Sequence, residues 1–176
     1  LSHAGSVDWV QTVGGKEEDQ VQAVVIEPKS GITYIGGGTS DGVQDNAFLL
    51  QYDEIGTLLW GTKLTGAMNN QVLDLAADES GVYLAGNFEG EAHIGSLTMT
   101  SEGNSDGFLA KLDTDGKPQW TQTIGGPAAD YAQGVEIDPY GDPVLTGHFL
   151  GNASVGGHSM ESAGGSDLFL LQASGD

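Results

Sequence analysis

Carboxylates are the chemistry this chain holds in surplus. Asp113-Thr-Asp-Gly116 sets two acids two residues apart on a tight turn. Hard oxygen ligands at that spacing suit Ca²⁺. The equivalent turns read Asp53-Glu-Ile-Gly56 and Ser2-His-Ala-Gly5, which lose one or both carboxylates. A structural turn, with the first Asp bonded to turn amides, is therefore the stronger reading of Asp113 and Asp115. Asp106 and Asp167 each follow a Ser and stand beside Gly103-Asn104 and Gly164-Gly165. They are the second candidate calcium ligands, weighed against an Asp that caps its own turn. Asp41 and Asp45 make a further acidic pair in a shorter loop.

Other reactive types are sparse. There is no Cys, so no thiolate metal site, disulfide or Cys nucleophile. No G-x-S-x-G elbow or phosphate loop is present. His93, His148 and His158 lack the H-x3-H and H-E-x2-H spacings of zinc sites. His148 and His158, ten residues apart, are the one pair a zinc ion would use, but lone loop histidines are usually solvated. Among 25 acids chance pairs are expected, so their number is no evidence for a glycosidase. The chain reads as non-enzymatic. Tyr140, Phe88, Phe149 and His148 are the candidates for a ligand surface, a glycan being the natural partner of exposed aromatics.

The formal charge is −20, from 25 acidic and 5 basic residues, and no Arg is present. Nucleic acid and anionic membrane surfaces are repelled by such a chain. No apolar run approaches the roughly 20 residues of a membrane span. A well-solvated secreted surface is the plain reading of the charge.

The elements that must position these residues repeat three times. Trp9, Trp60 and Trp120 each precede a small pair, Gly14-Gly15, Thr65-Gly66 and Gly125-Gly126. Ten residues after each Trp stand Asp19, Asn70 and Asp130, followed by an alternating apolar run. The Trp spacings of 51 and 60 residues fall near the period of a propeller blade or solenoid unit. Tyr131 to Ile137, Val144 to Gly147, and Asp167 to Leu171 read as strands, and Gln119 to Ile124 supplies a fourth. A long, polar, Gly-rich connection separates the second and third strands. The unit is a four-stranded antiparallel meander, and essentially no helix is expected. The three Trp residues recur with the fold and are expected in the core. Asn152-Ala-Ser154 is a glycosylation sequon in an expected loop.

At these positions the chain resembles the SBBP family of bacterial and archaeal β-propeller repeats. The matching residues are Trp120/Gly125/Gly126/Asp130, Asp138/Gly141, Gly147/Phe149/Gly151, Asp167/Phe169 and Asp113/Asp115/Gly116/Trp120. Repeat one lacks the Phe-x-Gly connection, and Thr65 replaces the first Gly of its pair. The resemblance implies propeller blades in a secreted or cell-surface protein, and it carries no catalytic residue.

The expected organisation is one all-β propeller-type domain over residues 1–176. Residues 1–15 form an orphan fourth strand; repeats follow at 16–66, 67–126 and 127–176, the last without its fourth strand. Three blades are fewer than the four to eight of a closed propeller. The expectation is therefore that Val7, Trp9, Val10 and Val13 complete the strand around Phe169 and Leu171 of another chain, giving a dimer or a fibre. The remaining alternative is an excerpt of a longer chain whose neighbours supply blades. The function expected is an extracellular structural or adhesion module, with a glycan-binding propeller as the alternative; no cofactor is required, and Ca²⁺ is the one considered.

Overall fold

Period-2 patterning and closely spaced Gly turns leave this chain no route to a helix, and the computed structural model is all-β. It describes residues 5–40, 42, 45–66 and 68–175. The strands are β1 (Glu18–Ile26), β2 (Thr33–Ser40), β3 (Asp45–Tyr52), β4 (Leu58–Thr65), β5 (Met68–Asp78), β6 (Gly81–Glu89), β7 (Glu91–Ile94), β8 (Leu97–Thr100), β9 (Asp106–Leu112), β10 (Pro118–Ile124), β11 (Tyr131–Ile137), β12 (Pro143–Val155) and β13 (His158–Gln172). They make three antiparallel sheets, ordered β1-β2-β3-β4-β7-β8, β10-β9-β6-β5 and β11-β12-β13.

Each sheet is built on a meander. The first strand of each carries a bulge at the same place, between Val21 and Ala23, Val72 and Asp74, and Ala132 and Gly134. A second recurring bulge sets Leu59 and Gln119 out of register just before Trp60 and Trp120. Bulges bend a strand and sharpen its twist, so identical bulges give the sheets matching shapes for stacking.

The long connections are hairpins rather than the open loops expected. β7 and β8 leave the second meander and pair onto β4 of the first sheet, Leu64 opposite Ile94 and Thr65 opposite His93. Ala92, Ile94 and Met99 thereby enter the core. In the third repeat the same hairpin is continuous with β12 and β13, and its Ser154 bridges to Gly125 after β10. Asn152 accordingly lies on a strand opposite Glu161, not in a loop.

Two apolar layers lie between the sheets. Ala23, Tyr34, Leu49 and Leu64 meet Val72, Leu84, Phe88 and Phe108 in one. Tyr83, Ala85 and Leu109 meet Val135, Leu145, Phe149 and Phe169 in the other. The middle sheet is covered on both faces, so β6 is buried from Gly81 to Phe88 without alternation. The outer sheets are covered on one face only. β1 leaves Val21, Val24 and Ile26 about 60% exposed (59%, 64% and 58%), and β13 leaves Leu168 and Leu170 exposed at 82% and 76%.

Val7 to Val13 pairs with no strand among the described residues, and its side chains are exposed. Asp41 and the residues Leu1 to Ala4 lie outside the described residues.

Candidate functional site

The Asp-x-x-Gly turns hold Asp113 and Asp115, the first acidic candidates. In each, the Gly N–H donates to the Asp carbonyl, at 3.1 Å for Gly56, 3.0 Å for Gly116 and 3.1 Å for Gly141. The Asp carboxylate accepts two further turn amides: Ile55 and Thr57 on Asp53, Asp115 and Lys117 on Asp113, Tyr140 and Asp142 on Asp138. The Thr57 amide holds the Asp53 carboxyl below its ordinary range. Asp113 is thus occupied by its own turn, and Asp115 is exposed and pairs with Lys117 at 3.7 Å. The arrangement is that of a structural turn.

These turns also serve as seats for tryptophan. Trp60 Nε1 donates to the Thr114 carbonyl at 3.0 Å, and Gln51 Nε2 donates to the same oxygen at 3.2 Å. The Trp60 ring lies so close to Gly116 that a Cβ there would sit 2.8 Å from Trp60 Cδ2. Trp9 lies on Gly56 in the same way, 2.7 Å from the position a Cβ would take. Trp60 and Trp120 are half-buried and tilt against Tyr34 and Tyr83 at 6.1 and 6.0 Å. Trp9 is 43% exposed. The expectation of three core indoles holds in part: Trp60 and Trp120 pack half-buried against the two core layers, whereas Trp9 is corrected to a largely exposed position, and Trp9 and Trp60 roof a neighbouring turn.

The second acidic pair is separated by the fold. Asp106 opens β9, and Asp167 lies at the matching place in β13. Each closes a four-residue loop by accepting an amide, Glu102 N–H at 2.9 Å and Ala163 N–H at 2.6 Å. Asp106, however, is wholly buried and faces Asp130 of the next repeat, also wholly buried. Burial pushes the Asp106 carboxyl up to about 6 against the Glu102 amide, and the Asp130 and Glu102 charges push it the same way. Burial also raises Asp130, opposed by the Leu150 and Gly126 amides and by His148. Sequence reasoning had Asp106 but missed Asp130 as its partner. The signal was its place in the repeat, ten residues after Trp120. Asp45, the equivalent of Asp106 in repeat one, is half-buried at the start of β3.

The aromatic surface is mostly not a surface. Phe88 and Phe149 are core residues at 0% and 5% exposure, because β6 is covered on both faces and alternation on β12 turns Phe149 to its covered face. Tyr140 is 90% exposed on a turn. His148 stacks on Tyr131 at 4.9 Å and approaches Gln133 Oε1 at 3.2 Å. His158 pairs opposite Val155, seven strand residues beyond His148, a separation of about 23 Å at roughly 3.3 Å per residue. Those histidines do not share an ion. Among the described residues no three His, Asp or Glu side chains converge as a metal group.

Of the strand-sharing residues, Phe169 and Leu171 pack inward on the second core layer. Leu168 and Leu170, which the sequence reading did not single out, face outward. Among the described residues β13 pairs with β12 alone and no strand lies on its other edge, whereas β9 in the middle sheet has β10 there. No helix of the described residues is long and apolar enough to cross a membrane.

A scan against protein-family models finds no match to this chain, and a search of curated proteins finds none either.

Proposed function

We propose that the chain is a non-catalytic extracellular structural or adhesion module of β-propeller type, whose copies associate by strand sharing and sheet stacking. The observation that carries this reading is the seat of Trp9. Trp9 rests on the Gly56 turn as Trp60, on a fourth strand, rests on the Gly116 turn. The N-terminal segment thus holds, against the first sheet, the place that β4 holds against the second. In this reading it is the fourth strand of a meander whose first three strands come from another copy.

A second copy supplies those three. Its β13 edge lacks a fourth strand, and its outward Leu170 stands where Leu109, buried in the middle sheet, stands in β9. The surface awaiting it carries Val21, Val24 and Ile26. Joining them would pair the free backbone groups of β13 and Val7 to Val13, and cover apolar area on both sides. Repetition of one contact gives either a closed ring or a fibre. The resemblance to SBBP repeats supports blades and a cell-surface or secreted setting. The glycan alternative is left with Tyr140 alone among its aromatics, which is not a stacking platform.

Light scattering on the whole chain tests the proposal. Particles that are multiples of 18.2 kDa are expected. Leu168→Glu with Leu170→Glu is expected to leave a folded monomer. A wild-type chain that stays monomeric at high concentration overturns the reading.

A further inference from the structure

The second and third sheets meet over two buried carboxylates that form no ion pair among the described residues. Asp106 and Asp130 are each 0% exposed. Neither takes part in any of the ion pairs among the described residues, which are Lys29–Glu79, His93–Glu91 and Lys117–Asp115. Each has one oxygen satisfied, Asp106 Oδ2 by the Glu102 amide and Asp130 Oδ1 by the Leu150 amide at 3.0 Å. The other oxygens, Asp106 Oδ1 and Asp130 Oδ2, are buried without a hydrogen-bond partner.

Backbone contacts bring the two groups to one spot. The Asp106 carboxyl lies against Gly125, where any Cβ would fall on it. The Gly126 amide, on the next residue, lies near enough to the Asp130 carboxyl to act against the rise in its pKa. Asp130 also donates its own N–H to the Ser105 carbonyl at 2.7 Å, beside Asp106. Ser105, whose carbonyl takes the Asp130 amide, adds a third buried oxygen. Its Oγ is buried, the residue is 8% exposed, and no partner satisfies it. Orphaned buried oxygens of three residues, two of them acids, are costly unless something binds them.

We propose that Ser105, Asp106 and Asp130 form a Ca²⁺ site that clamps the second sheet to the third. Two carboxylates balance the charge of one divalent cation. An all-oxygen set of carboxylate, hydroxyl and carbonyl or water ligands is the kind that Ca²⁺ accepts, and its tolerance of irregular coordination suits a loop-built cradle better than Mg²⁺ would. The position equivalent to Asp130 between the first two sheets is Asn70, so the chain itself offers the neutral replacement.

The test is isothermal titration of the whole chain with CaCl₂ at pH 7.5 and 0.15 M NaCl, with MgCl₂ as comparison and circular dichroism to confirm folding. Wild type is expected to bind Ca²⁺ saturably, in preference to Mg²⁺, and to gain melting temperature over the chelator-treated protein. Asp130→Asn and Asp106→Asn are each expected to lose one saturable site per chain while remaining folded. Asp115→Asn, which removes one surface charge elsewhere, is expected to keep it. Absence of saturable binding, or equal binding in Asp106→Asn, Asp130→Asn and wild type, overturns the proposal and leaves a carboxyl pair sharing a proton. Should one of the two variants unfold, the other decides.

Discussion

Gly116→Ala measures how strongly one sheet is latched to the next. Two costs add at this position. The backbone φ is +78°, a left-handed conformation that costs a residue with Cβ roughly 1–2 kcal/mol. The new Cβ would also sit 2.8–3.0 Å from three atoms of the Trp60 ring, well inside contact distance. The ring must move, an overpacking cost of about 1–3 kcal/mol, and its bond to the Thr114 carbonyl, about 1 kcal/mol, is strained or lost. The total is about 3–6 kcal/mol. Gly141 supplies the control: its turn is the same, φ is +94°, and nothing lies within 4 Å of a Cβ there. Gly141→Ala is therefore expected to cost only the backbone share, about 1–2 kcal/mol. Urea unfolding followed by circular dichroism, at one protein concentration, reads the difference as about 2–4 kcal/mol. In a Trp60→Ala background, Gly116→Ala is expected to fall to the Gly141 value, since no ring remains to displace. Equal costs at the two glycines, or a Gly116→Ala cost that ignores Trp60, would refute the reasoning.

Other outcomes follow from the same contacts. In chelator, folding favours protonated Asp106, whose carboxyl rises from 3.8 to about 6. That contribution, on the order of 3 kcal/mol, is whole below pH 3.8 and lost as pH rises through 6. Wild type is thus expected to lose stability relative to Asp106→Asn between pH 4 and 7.5, and parallel profiles would count against it. Trp60→Ala is expected to cost about 3 kcal/mol, since the half-buried ring gives up both packing and its Nε1 bond, as thermal unfolding would record. Asp113→Ala is expected to cost about 1–2 kcal/mol through two lost turn bonds and to leave calcium affinity unchanged, which titration checks. Deleting residues 1–14 is expected to abolish assembly in light scattering, because it removes the Trp9 seat and the strand partner of β13.

Much of the architecture is local, and local patterns are legible. The spacing of Trp, Gly pair and Asp, the alternation in Tyr131 to Ile137, and the Asp-x-x-Gly turns determined three meanders without helix, because period-2 burial and left-handed glycines are properties of short segments. The turn function of Asp113 was readable for the same reason, since its partners are its own neighbours. What lies between repeats was not. Alternation says which side chains share a face of a strand, not what covers that face. Phe88 and Phe149 therefore passed for surface aromatics until stacking placed a second sheet over them. Gly-rich composition marked the long connections as loops, yet their Ala92, Ile94 and Met99 become core once β7 finds β4. The meeting of Asp106 with Asp130, 24 residues apart on different sheets, depends on how bulged strands twist and stack. No pattern within either segment encodes that distance, so only the tertiary structure could bring the two carboxylates to one pair of glycines.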